Sequence, residues 1–167
     1  TVGAKDHVVV NEQMQTSDPD IYAIGDVTQC TDPVTGRPTC VPLAGPANRQ
    51  ARVAASHATG LTLDNPQPLG TAIAKVFDVT AASTGANSHT LESSGIPFLT
   101  SITHSYNHVS YYPGAKSQVI KLLYRRDDGE LLGAQVVGQG SVDRSIGILA
   151  TALRAGRTVH HIAGLEL

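Results

Sequence analysis

The chain has 167 residues, 41% of them hydrophobic and 16% charged, with a formal net charge of −2 at pH 7. That length covers one domain, or a small domain with part of another, and the composition excludes an extended disordered polymer. No run approaches the roughly 20 apolar residues of a membrane span, no basic-then-apolar leader opens the chain, and the charge balance favours neither nucleic acid nor a membrane as partner, so a cytoplasmic protein is expected.

In chain order, Lys5, Asp6 and His7 read as a solvated turn before a strand at Val8, Val9 and Val10. Residues 21–24, Ile-Tyr-Ala-Ile, form a second apolar run suited to a strand, and Gly25 with Asp26 ends it. A glycine and a carboxylate at the C-terminal end of a strand mark where open α/β sheets bind ligands. Cys30 and Cys40 flank an exposed excursion punctuated by Pro33, Gly36 and Pro38. Their spacing suits neither a C-x-x-C redox motif nor a zinc knuckle, so unpaired, structural or incidental cysteines are expected. Gly45 and Pro46 then predict a helix start, as N-cap and first helical position. Ala47, Ala51, Ala54, Ala55 and Ala58 give that helix a small face, and Gly60 is its natural stop. Its N-terminus offers open N–H groups and a partial positive charge.

Pro66 and Pro68 lie in an extended link at 61–69, and the domain boundary is placed near Asp64. This gives a first domain at 1–64 and a second at 65–167. Within the second, the β-branched, alternating run from Thr71 predicts one long strand or two short ones. A short helix is expected at 88–94, with Ser88 as N-cap and Gly95 as stop. A strand at 98–104 puts Thr100, Ile102 and His104 on one face. Residues 117–124 and 131–137 predict a hairpin turned at Asp128-Gly129. Val142, Ile146, Leu149 and Leu153 fall at helical spacing from a Ser141 cap to Gly156, and Thr158 opens a last helical turn that ends at Gly164. The predicted fold class is α+β, an antiparallel sheet with helices on one face.

The densest cluster of functional side chains is at 104–115, where His104, His108, Tyr111 and Tyr112 gather ahead of Pro113-Gly114. His104 and His108 stand four apart, as in a helical metal-binding pair. The Ser-, Asn- and Tyr-rich context disfavours a helix, and no Cys, Asp or Glu in the cluster supplies a third ligand, so no metal is expected. The plain alternative is a loop laying its aromatics over the hairpin. His160 and His161 are read as a capping or surface pair.

Three blocks, IYAIGD, VPLAGPANRQAR and GTAIAKVFDVTAASTG, resemble the pyridine nucleotide–disulfide oxidoreductases in this order and spacing. KLLYRRDDGELLGAQVVG and YYPGA extend the resemblance, which is nearest to coenzyme A-disulfide reductases, NADH oxidases and persulfide reductases. It implies the C-terminal tail of an FAD-binding α/β domain followed by a dimerisation domain, in a homodimer. It further implies that Asp26 binds the ribityl chain of FAD, and that the helix start at Leu43, Ala44 and Ala47 lies against the flavin ring. The physics agrees, because helix-terminal N–H groups stabilise the negative charge of a reduced flavin. Tyr111, the first tyrosine of YYPGA, is implied to face the partner's catalytic cysteine and a disulfide substrate, where a phenol can donate to a leaving sulfur. Tyr112 is then a packing residue.

NAD(P)H is the implied electron donor, and the implied acceptor is coenzyme A disulfide, a persulfide or dioxygen. The nucleotide-binding G-x-G-x-x-G and the redox cysteine of such enzymes have no counterpart here. The chain is thus expected to be the last third of a longer enzyme, inactive alone. The rival expectation is a non-catalytic dimerisation module carrying a degenerate remnant.

Overall fold

The computed structural model describes residues 1–3 and 6–166. Lys5 of the expected turn, and Leu167 at the end of the expected second domain, lie outside the described residues. The chain divides into two compact units, Thr1–Pro68 and Leu69–Leu167.

In the first unit, the two expected strands are corrected to single bridges among the described residues. Val8 bridges Val2 and Thr28, and Tyr22 bridges Gln15. A strand is a pairing property, and a β-compatible run needs a neighbour along its whole length to form a ladder. Ile24 is extended (φ −140°, ψ 162°), yet in each run a single residue, Val8 or Tyr22, forms a bridge. A 3₁₀ turn at Gly25–Val27 follows. Strands β1 (Cys30–Thr31) and β2 (Pro38–Thr39) form a small antiparallel hairpin with Cys30 opposite Thr39. The Asp32 carboxylate shapes its loop by accepting the N–H groups of Val34 (2.8 Å) and Thr35 (3.3 Å).

Helix α1 (Ala44–Ala58) begins earlier than its Gly-Pro signal implies, with Leu43 as N-cap. Gly45 and Pro46 therefore occupy the second and third helical positions. Pro46 is still tolerated, because first-turn N–H groups have no intrahelical acceptor. The helix ends as expected, with Gly60 left-handed (φ +85°) just beyond it. Met14 and Val53 are the buried apolar side chains of this unit, joined by buried Thr28 and Gln50.

The second unit is a five-stranded sheet in the order β3-β4-β7-β6-β5, every pair antiparallel. Its strands are β3 (Ala72–Val76), β4 (Val79–Gly85), β5 (Phe98–Tyr106), β6 (Ser117–Arg125) and β7 (Leu131–Gly138). Of the two readings for the run from Thr71, two short strands form, turned at Phe77 and Asp78. Both β6 and β7 match the expected hairpin, with Gly129 left-handed (φ +73°) in its turn. Gly133 in β7 has a packing reason, since a Cβ there would lie 1.9 Å from the Ala86 carbonyl oxygen.

Helix α3 (Val142–Arg154) packs on β7 and β4 through Val142, Ile146, Leu149 and Leu153, all buried, beside buried Ala82, Ala134 and Val136. Helix α4 (Val159–Ala163) lies on the same side, where Ile162 shares a groove with Ile148 and Leu149 of α3 and Ile120 and Leu122 of β6. The chain therefore forms the antiparallel α+β layer read from its sequence, with α3 and α4 supplying the expected cover on one face. The short α2 (Ser88–Ser94) is tied to β6 where Lys121 donates to Ser88 (2.9 Å). Alternation along β6 turns Lys121 away from α3, so α2 closes one end of the opposite face. Its N-cap is Asn87 rather than Ser88, with Oδ1 accepting the Thr90 N–H at 2.8 Å. Asn87 has the extended backbone that a cap requires, whereas Ser88 is already helical.

Candidate functional site

The first candidate site is the junction of the Gly25–Val27 turn with the start of α1. Gly25 is left-handed (φ +77°), and its N–H donates to Gln50 Oε1 on α1 at 2.7 Å. Thr28 Oγ1 donates to the Gly25 carbonyl (2.7 Å) and approaches Gln50 Oε1 (3.4 Å). Gln50 is only 8% exposed, so this link is shielded from water. The turn also lies close to α1, since a Cβ at Gly25 would reach the Ala47 methyl at 3.7 Å. Asp26 is therefore carried on a fixed turn with its side chain exposed to solvent. Cys40 adds a tie by donating from Sγ to the Asp26 carbonyl at 3.1 Å.

At the start of α1 no side chain caps the helix. The Leu43 N–H is taken by Val41 and the Ala47 N–H by Leu43. Ala44 and Gly45 are exposed, and their N–H groups have no acceptor among the described residues. The turn that carries Asp26 thus lies against α1 through Gly25, Ala47 and Gln50, and the start of that fifteen-residue helix, at Leu43 and Ala44, presents two open donors at its positive end. This donor and acceptor set suits a polyhydroxylated, electron-accepting group such as a flavin.

Tyr111 belongs to the second unit, in the loop between β5 and β6, and is 88% exposed. Two hydrogen bonds between Asn107 and Lys116 close the neck of that loop, at 2.9 Å and 2.8 Å. Inside it, the Tyr112 N–H donates to the Val109 carbonyl (3.0 Å), and the Tyr112 ring meets His108 edge-on at 5.7 Å. Tyr112 thus has a ring contact within the loop while staying exposed. His104 lies on β5 opposite Val119, while His108 lies in the loop, so the pair does not share a helix face. Among the described residues no three His, Cys, Asp or Glu side chains cluster as a metal site. His161 closes a capping box at α4 with Thr158.

Both cysteines are free thiols. Burial, and then the neighbouring Cys40, push the Cys30 thiol above its ordinary pKa, which favours its protonated form. On the β6–β7 turn, Glu130 holds Arg125 at 2.6 Å, and that hydrogen bond raises the guanidinium's already high pKa.

Sequence reasoning missed two residues. Gln50 is the hub of the first site, and the available signal was its place three positions before buried Val53, on the core-facing stripe where a polar residue needs a partner. Asn107 gathers the neck of the Tyr111 loop, and no local pattern marks it.

Comparison with known proteins finds matches along both units of the chain. A family model described as pyridine nucleotide-disulphide oxidoreductase matches residues 1–58, and one for the dimerisation domain of that family matches residues 71–165. The chain is 36% identical over 157 residues to an NAD(P)H coenzyme A polysulfide/persulfide reductase of Pyrococcus horikoshii, covering 94% of this chain and 35% of that one. It is 32% identical over 164 residues to a coenzyme A disulfide reductase of Staphylococcus aureus, covering 98% of this chain and 37% of the relative. Among solved structures, an NAD-dependent persulfide reductase from A. fulgidus superposes with a TM-score of 0.96 at 39% identity, over 100% of this chain and 31% of that chain. This chain thus spans about a third of the length of these relatives.

Proposed function

Given that the chain belongs to the pyridine nucleotide-disulphide oxidoreductase family, we propose that it supplies the flavin-facing and subunit-pairing portion of an NAD(P)H-dependent reductase. Its substrates are coenzyme A disulfides or persulfides, as the names of its relatives suggest. The observation that carries this reading is the turn bearing Asp26, tied to α1 by the Gly25 N–H on Gln50, together with the open N–H groups of Ala44 and Gly45 at the start of that helix. Bound FAD supplies the two-electron relay between nicotinamide and a cysteine elsewhere in the enzyme. Asp26 accepts hydrogen bonds from the cofactor's sugar-alcohol hydroxyls. The start of α1 places partial positive charge where electron density accumulates on reduction. Tyr111, presented on an exposed loop, donates its phenolic proton toward a substrate sulfur as charge develops there.

The partner in this reading is a second copy of the chain, and the outward side of α3 is the surface suited to it. Gly147, Thr151 and Ala155 leave a shallow apolar groove of about 690 Å³ with Ile162 and Leu165. Asp143 at one end and Arg157 at the other carry no ion-pair partner among the described residues. A two-fold mate laid antiparallel would pair each with its opposite. Thr151→Lys, which sets like charges across that axis, converts dimer to monomer in sedimentation.

The central test is Asp26→Ala in the protein produced with its neighbouring coding sequence. Flavin content falls by about tenfold, the loss of one charge-assisted hydrogen bond. Unchanged flavin would remove Asp26 from the site. Tyr111→Phe lowers turnover of coenzyme A disulfide, and a substitution that lowers only dioxygen consumption would favour the oxidase chemistry.

A further inference from the structure

We infer that Asn107 and Arg144 form a clasp that positions Tyr111, fastening its loop to the N-terminal turn of α3. The inference rests on the reading of Tyr111 as the residue that meets substrate. Tyr111 is 88% exposed, and its position follows from the loop that carries it. Inside its neck, at residues 108–115, that loop holds one backbone hydrogen bond of its own, from Tyr112 to Val109. Beyond that bond and the His108–Tyr112 ring contact, the hydrogen bonds that fix it among the described residues converge on Asn107. The Asn107 N–H donates to Lys116 (2.9 Å), and its Oδ1 accepts the Lys116 N–H (2.8 Å). Its carbonyl accepts from the Arg144 guanidinium. On its remaining side the carboxamide packs on Gly140, where a Cβ would stand 3.0 Å from Nδ2.

Arg144 is itself held in place. It sits in the first turn of α3, whose Ser145 donates to Gln118 Oε1 (2.9 Å), while Gln118 Nε2 donates to the Gly140 carbonyl (2.7 Å). Gln118 is only 3% exposed, so this second strap joins the start of β6, the turn after β7 and α3 out of water. The loop neck is therefore tied to the helix that anchors the sheet, and Tyr111 is aimed from a fixed base. Alignment of this kind matters because a misplacement of about 1 Å costs roughly a hundredfold in rate.

The test has two readouts on the protein with its neighbouring sequence. The first is hydrogen exchange at the Tyr112 amide, a bond that neither clasp residue makes. Asn107→Ala and Arg144→Met speed that exchange about tenfold, while Asn107→Asp, which keeps the Oδ1 acceptor, leaves it unchanged. An unaltered Tyr112 amide in both disruptive variants overturns the clasp. The second is a double-mutant cycle on turnover of coenzyme A disulfide. Asn107→Ala lowers turnover by roughly tenfold in the parent and has no further effect in a Tyr111→Phe background. An equal loss in both backgrounds means that Asn107 acts elsewhere and overturns the inference. If Tyr111→Phe alone leaves turnover intact while the Tyr112 amide responds, the clasp stands and the assignment of Tyr111 falls.

Discussion

Replacing Gln50 with leucine probes the joint on which the first site depends. The change keeps most of the side-chain volume but deletes the acceptor for the Gly25 N–H (2.7 Å) and for Thr28 Oγ1 (3.4 Å). A net amide hydrogen bond is worth about 0.5–1.5 kcal/mol, and a buried donor left unpaired costs about 1–3 kcal/mol. Gly25 is only partly buried, so water recovers part of that penalty. Thr28 keeps its stronger bond to the Gly25 carbonyl at 2.7 Å. The expected cost is about 1–2 kcal/mol, a factor of roughly 5–30 in local opening. Native-state hydrogen exchange reads this directly: the Gly25 amide exchanges faster by that factor, while amides in β6 and β7 are unaffected. Flavin retention falls with it, because Asp26 loses its fixed mount. An unchanged Gly25 exchange rate would refute the hub role of Gln50.

Further expectations follow from packing, capping and ionisation. Leu123 in β6 is 0% exposed, so Leu123→Ala destabilises by about 2–5 kcal/mol in denaturant unfolding followed by circular dichroism. Thr158→Ala removes the capping box of the five-residue α4 and costs about 0.5–2 kcal/mol, read as faster amide exchange at 159–163 and not elsewhere. For Cys30, the folded pKa lies above the unfolded one, so its contribution to stability is complete below the unfolded value and is lost as pH rises through the folded value. Iodoacetamide labelling of Cys30, followed by mass spectrometry, consequently sets in at higher pH in the folded chain than in urea. Cys40→Ser moves that onset downward, because Cys40 is the second cause of the shift.

Local signals were sufficient for most of the second unit. Period-two alternation with Asp128-Gly129 defined the β6–β7 hairpin, and the apolar spacing of Val142, Ile146, Leu149 and Leu153 defined α3. The resemblance carried by IYAIGD and VPLAGPANRQ pointed to Asp26 and the start of α1, and in the fold the Gly25 turn that carries Asp26 is bonded to α1. Those features belong to a residue and its near neighbours, so one strand of text encodes them. Tertiary structure alone decided the rest. The runs at 8–10 and 21–24 have strand composition but form only single bridges, because a ladder requires a partner that composition does not name. Gln50 reaches Gly25 across 25 positions, and Arg144 reaches Asn107 across 37. Such bonds form only after packing has set two distant backbones a few ångströms apart. The sequence therefore dictated which side chains could do chemistry, and the packed chain dictated which of them are held still enough to do it.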